Sequence, residues 1–155
     1  MIHVTRARRR GESGAAAVEF ALVLPFLLLL LFGLIQYGLY FWAIQGGSNA
    51  AREGARRAAV GSPAACADFQ TYVKNRMGTI GDPSTAAITR TYKDGTTDAA
   101  KTASTVVVGD VVTVTVRFQS IDMHLPLLPF PSNGIVTQRA EARVEYVPTT
   151  PVACS

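Results

Sequence analysis

The sequence predicts an α+β protein: a long N-terminal helix, membrane-spanning in its first part and stalk-like in its second, followed by a small antiparallel β-sheet. Three observations carry this. Ala15 to Ile44 is apolar or small except at Glu19, Gln36 and a few tyrosines. Small residues then recur at helical spacing as far as Ala59, and beyond Ala87 the periodicity changes from helical to two-residue alternation.

As a helix, Ala15 to Ile44 would be roughly 45 Å long at 1.5 Å per residue, enough to cross a hydrocarbon core of about 30 Å. The run exceeds the roughly 7–15 residues of a secretory h-region. Ser48-Asn49-Ala50 is nevertheless a passable small-x-small cleavage site, so a signal peptide with a soluble remainder stays open. Arg6, Arg8, Arg9 and Arg10 precede the run and favour a cytoplasmic N-terminus with a translocated C-terminal part. Arg52, Arg56 and Arg57 on the far side weigh the other way, although Glu53 is within one helical turn of the last two. Pro25 lacks an N–H, leaves the Ala21 carbonyl without its usual partner and predicts a kink.

The composition divides the chain into a basic leader (1–14), a transmembrane helix (15–44), a helical stalk (45–60) and an α+β domain (64–155). In the stalk, Gly47, Ala50, Ala51, Gly54, Ala55 and Ala58 lay small side chains along one face. Such a face admits either a partner helix or the chain's own domain at close range. Gly61-Ser62-Pro63 ends the helix.

A short helix is expected over Ala64 to Met77, with Phe69, Tyr72 and Val73 at helical spacing. Ala87–Lys93 and Thr105–Gln119 read as strands, the second with Val112, Val114, Val116 and Phe118 on a buried face. Asp94-Gly95 and Gly109-Asp110 mark turns, and Thr96 to Ser104 is polar enough to be an exposed loop. Three prolines exclude a central strand over Leu125 to Phe130 and its neighbour Pro131, which leaves an apolar crossing loop. Ile135 to Val147 is the last strand, with Val136, Gln138, Ala140, Ala142, Val144 and Tyr146 sharing a face.

The net charge of +4 sits at the N-terminus. Without residues 1–14 the chain keeps 11 basic against 10 acidic side chains, which argues against nucleic-acid binding. Cys66 and Cys154 both follow the anchor, and in a translocated domain two thiols are more often bridged than free. No cofactor or metal is expected: His3 and His124 are far apart in sequence, and no phosphate-binding glycine loop occurs. Asp110, Asp122, Glu141 and Glu145 read as a solvated carboxylate face, and the protein is not expected to be an enzyme.

Glu19 is the residue that needs a reason. A carboxylate at the centre of a membrane helix costs a few kcal/mol, so it calls for a partner, a neutral state or a place near the interface. A cut after Gly14 would supply one, because the new Ala15 ammonium lies one helical turn from Glu19. Formed between subunits, the same pair would fix the axial register of stacked helices. Gly14 offers no Cβ to a peptidase cleft and favours a non-helical backbone before the helix.

Gly14 followed by Glu19 and Phe20 resembles the processing motif of type IV prepilins. With Ala16-Ala17-Val18-Glu19-Phe20-Ala21-Leu22-Val23-Leu24-Pro25 and Asn49-Ala50-Ala51-Arg52-Glu53-Gly54-Ala55-Arg56, the stretch from about Arg10 to Val60 is similar to the TadE-like proteins of the Tad/Flp pilus system. The resemblance implies cleavage between Gly14 and Ala15 by a membrane prepilin peptidase, a pilin-like fold, and a single-pass protein of the bacterial inner membrane with a periplasmic C-terminal domain. It also implies a role in pilus assembly, secretion or adhesion, with other pilins, Tad inner-membrane proteins and the lipid bilayer as partners. Such proteins often carry an acidic residue where Gln36 stands. A second reading keeps the helix as a mere tether for a periplasmic binding or adhesive domain, with Leu125 to Phe130 as its contact surface.

Overall fold

The computed structural model describes residues 12–78, 81–125, 127–148 and 154. The leader arginines and His3 lie outside the described residues. Helix α1 spans Glu12–Ala59 and α2 spans Cys66–Met77. Strands β1 (Ala87–Lys93), β2 (Ala100–Lys101), β3 (Val111–Gln119) and β4 (Ile135–Arg143) form one antiparallel sheet in the order β2-β1-β3-β4. The α+β arrangement is the one the sequence predicts. Two compact units divide the chain, one ending at Ile35 and the other beginning at Gln36, so the boundary falls inside α1.

In the first unit the described residues from Glu12 to Ile35 are helix, and their large side chains face outward. Val18, Phe20, Leu22, Val23, Phe26, Leu30 and Leu34 are all more than half exposed. A helix apolar all round belongs in lipid or inside an assembly of helices. The helix runs through Pro25 without interruption. It also begins two residues before Gly14, so the expected non-helical backbone at Gly14 is not found. Among the described residues, no atom outside the helix backbone lies within 4 Å of where a Gly14 Cβ would stand.

In the second unit the small-residue face of α1 meets the sheet. Ala43, Ala50, Ala51, Ala55 and Ala58 are buried with Phe69, Val73 and Met77 of α2 and with Ile88, Val112, Val114, Val116, Phe118 and Val136. Two open alternatives thus resolve: this face is occupied by the chain's own domain, leaving no room along it for a partner helix. A Cβ on Gly47 would stand 2.8 Å from Phe118 Cε1, and one on Gly54 3.0 Å from Val73 Cγ2. Ile88, Arg90 and Tyr92 of β1 pair in register with Val116, Val114 and Val112 of β3, sharing the core face.

Helix α1 closes with a Schellman motif. Gly61 takes φ +66°, its N–H donates to the Ala58 carbonyl at 3.0 Å, and Ser62 N–H donates to the Arg57 carbonyl at 3.1 Å. The last strand is shorter than expected, ending at Arg143. Glu145 and Tyr146 turn their N–H groups to the Ala59 carbonyl, at 2.8 and 3.1 Å, which leaves Tyr146 largely exposed rather than in the predicted row. Thr96 to Ser104, expected as loop, contains the two residues of β2.

Candidate functional site: the N-terminal helix and its mounting

Gly14, Ala15, Glu19 and Phe20 lie on the first, exposed turns of α1. Among the described residues Glu19 has no hydrogen-bond or ion-pair partner. The Ala15 nitrogen is a backbone amide here and carries no charge to pair with Glu19.

The second unit grips α1 from Gln36 onward. The Gln36 side chain, 3 % exposed, donates from Nε2 to the Ile121 carbonyl at 3.0 Å and accepts from Met123 N–H at 2.9 Å. One primary amide thereby satisfies two backbone groups of an irregular segment, which a carboxylate at this position would not do. Tyr37 donates to the Pro129 carbonyl at 2.7 Å, and the rings of Tyr40 and Phe130 meet edge-on at 5.3 Å. The apolar run in the sequence continues to Ile44, yet Gln36, Tyr40, Ala43 and Ile44 pack within the second unit. Length and hydropathy alone do not register this change of environment.

Further along α1, Glu53 is held below the usual carboxylate range, chiefly by the hydrogen bond it accepts from Tyr72 at 2.7 Å, with Arg56 and Arg57 adding to the effect. Arg57 also donates to Tyr72 at 3.1 Å and lies over its ring. This cluster pins α2 to α1. The expected pairing of Glu53 with both arginines is present, at 3.9 and 3.5 Å.

Cys66, at the start of α2, is joined to Cys154 in a disulfide with a Cα separation of 5.4 Å. The bridge holds Cys154 against the part of β1 that the two-residue β2 leaves uncovered, where Arg90 and Cys154 exchange backbone hydrogen bonds of 2.9 and 3.2 Å. Beneath it lies Arg90, 1 % exposed. Its guanidinium donates to the Pro63 and Ala64 carbonyls at 3.0 and 2.8 Å and stands 4.6 Å from the Phe69 ring centre. Burial lowers the Arg90 pKa from its ordinary value, yet arginine stays charged in proteins. The helix break at Pro63, α2 and the chain end thus converge on one buried cation. Sequence reading passed over Arg90, although its alternation with Ile88 and Tyr92 places it on the core face.

Asp110 departs from the expected solvated carboxylates. It is 3 % exposed, accepts from Lys101 Nζ at 2.8 and 2.9 Å, and receives the N–H groups of Val107 and Gly95 at 2.9 and 3.3 Å. Burial pushes its pKa up, but Lys101 and the two amides outweigh burial and leave it below the ordinary value. Lys101 also reaches Asp94 at 3.1 Å. The two turns seen in the sequence, Asp94-Gly95 and Gly109-Asp110, are therefore tied to each other. Among the described residues no group of three or more His, Cys, Asp or Glu side chains is placed to hold a metal ion.

The helix that carries these features is long and apolar enough to cross a membrane. No curated protein and no solved structure matches the chain. The family model of TadE-like protein does match, over residues 14–56, from the Gly14-Ala15 bond through the buried small-residue face. On that segment, less than a third of its length, the chain is similar to the TadE-like protein family.

Proposed function

We propose that this protein is a minor pilin or pseudopilin that supports assembly of a bacterial Tad/Flp-type pilus or its secretion apparatus. The observation that carries the reading is the TadE-like match beginning at Gly14, with Glu19 and Phe20 at the start of an all-round apolar helix. A membrane prepilin peptidase cuts between Gly14 and Ala15 on the cytoplasmic side. The mature helix stays single-pass in the inner membrane, with the disulfide-bridged domain in the periplasm, and its partners are other pilins and the Tad inner-membrane proteins. The protein works by assembly and not by catalysis.

The cut gives Glu19 its partner. The Ala15 ammonium, one turn away on the helix, neutralises the carboxylate in its own chain or in a neighbouring one. A trans pair sets register between helices, the use of buried ion pairs with the best physical precedent. Intact mass and N-terminal sequence, measured from cells with and without the peptidase, test the processing step. A peptidase-dependent start at Ala15 is expected, and an identical uncut chain in both strains would refute it. Glu19→Ala is expected to insert and be cut normally while impairing assembly; normal piliation in that variant would remove the register role.

A further inference from the structure

Ala15 to Ile35 is roughly 32 Å of helix at 1.5 Å per residue, close to the hydrocarbon thickness of about 30 Å. The second unit starts at the next residue, Gln36. Aromatic residues cluster immediately after it: Tyr37, Tyr40, Phe41 and Trp42, the last two 62 % and 46 % exposed. Exposed aromatics of this kind mark the level at which a helix leaves the hydrocarbon.

The apolar segment from Ile121 to Phe130 is fastened at this same level. Phe130 meets Tyr40, Pro129 accepts from Tyr37, and Ile121 and Met123 are both held by Gln36. These attachments step back along α1 from Tyr40 through Tyr37 to Gln36. Leu127 lies between these fastened residues, with φ +68° and 87 % exposure. A leucine in strained backbone, turned out to solvent between two clamped ends, has no role in the core that would account for it.

We propose that this loop is a second membrane contact, with Leu127 immersed in the leaflet through which α1 leaves the bilayer. Two apolar contacts, one from the helix and one from the loop, fix the tilt of the domain on the membrane surface, which a single helical stalk would leave free. Lipid is favoured over a protein partner because the loop is fastened beside the aromatic girdle, one residue beyond an apolar segment of bilayer length. The proposal rests on α1 spanning the membrane, and its test separates the two claims.

Full-length protein with its native disulfide is reconstituted into phosphatidylcholine vesicles whose acyl chains are plain or dibrominated near the headgroup. Single fluorescent labels are attached through Leu127→Cys, Leu30→Cys or Val108→Cys. Val108 is exposed on the turn whose Gly109 N–H bonds Val144, next to the residues that bond Ala59 at the far end of the helix from Gln36. Bromolipid is expected to remove most of the emission at Leu127 and Leu30 and to leave Val108 unchanged. Quenching at Leu30 without quenching at Leu127 would overturn the loop contact while the spanning helix stands. A Leu127 label shielded from aqueous iodide yet untouched by bromolipid would also overturn it, because a second copy or another protein would then cover the loop. No quenching at Leu30 would defeat the spanning reading, and the loop contact with it.

Discussion

Three of the glycines on the outer half of α1, Gly38, Gly47 and Gly54, offer a direct test of the packing between helix and sheet, because the same substitution meets a different environment at each. Glycine to alanine inside a helix gains about 0.8–1 kcal/mol in backbone propensity wherever the methyl has room. Gly38 has no neighbour within 4 Å of the added carbon, so Gly38→Ala is expected to gain the full amount, roughly 4 °C in Tm for a domain of this size. At Gly54 the methyl would stand 3.0 Å from Val73 and 3.2 Å from Val114. Both are fully buried and stiff at χ1, so crowding is expected to cancel the gain and leave stability near neutral. At Gly47 the methyl would stand 2.8 Å from Phe118 and 3.2 Å from Gln138. The Phe118 ring is buried and must shift; overpacking of this kind costs about 1–3 kcal/mol, giving a net loss of up to about 2 kcal/mol. Thermal unfolding of the detergent-solubilised chain, followed by near-ultraviolet circular dichroism, would order the variants Gly38→Ala above Gly54→Ala above Gly47→Ala. Equal stabilisation by all three would refute the close approach of α1 to β3.

The disulfide closes nearly the whole domain, its cysteines 88 positions apart in sequence. Replacing Cys66 and Cys154 together by serine is expected to cost up to about 4–5 kcal/mol on the chain-entropy argument, read as a fall in Tm against the oxidised parent, and an unchanged Tm would rule out a stabilising bridge. Asp94 and Asp110 are both held below the ordinary carboxylate range, Asp94 by its hydrogen bonds to Thr96, Thr97 and Lys101, and Asp110 by Lys101 and two amides against the upward push of burial. Groups shifted down contribute stability above their unfolded pKa of about 4 and lose it as the pH falls through the lower folded values. Lys101, shifted up by Asp110 and then Asp94, contributes fully below its unfolded pKa and loses that contribution only as the pH rises through its higher folded value. Asp110→Asn should therefore lower Tm near neutral pH and flatten its acid dependence, measured as Tm from pH 2 to 7; an unaltered acid limb would remove Asp110 from the account.

Much of this fold is legible in the sequence because its signals are periodic. Val112, Val114, Val116 and Phe118 alternate and are buried as a row, and Ala50 to Ala58 recur at helical spacing and bury as a stripe. The less legible features depend on long-range partners that no local period encodes. Gln36 resembles an isolated polar group in an apolar run until Ile121 and Met123, 85 and 87 residues later, fill its two bonding positions. Asp110 resembles any loop carboxylate until Lys101 and the Gly95 amide close on it. Strand β4 stops early because the Ala59 carbonyl, exposed by the helix terminus, captures the N–H groups that would have continued the ladder. Arg90 was within reach of periodicity, since its place between Ile88 and Tyr92 puts it on the core face; charge obscured it, not pattern.

Helix α1 obeys two size rules in succession. Up to Ile35 its side chains are large and exposed, suited to a solvent of acyl chains; from Ala43 its packed face is alanine and glycine, which lets the backbone approach a sheet of valines. The point of exchange lies at Gln36 to Tyr40, where the domain first grips the helix. A fair test of tether against pilin must cut there. Replacing residues 1–44 with an unrelated anchor would also remove Gln36, Tyr40 and Ala43, so a loss of function would report a damaged domain as readily as a missing pilin helix. Replacing residues 1–35 keeps every one of those contacts, and the domain's Tm is expected to stay at the parent value. With folding thus held constant, a helix that only tethers can be exchanged without loss, whereas one that must be cut at Gly14 and paired through Glu19 cannot. Loss of pilus assembly at unchanged Tm is the expected outcome, and full assembly on a foreign anchor would refute the pilin reading.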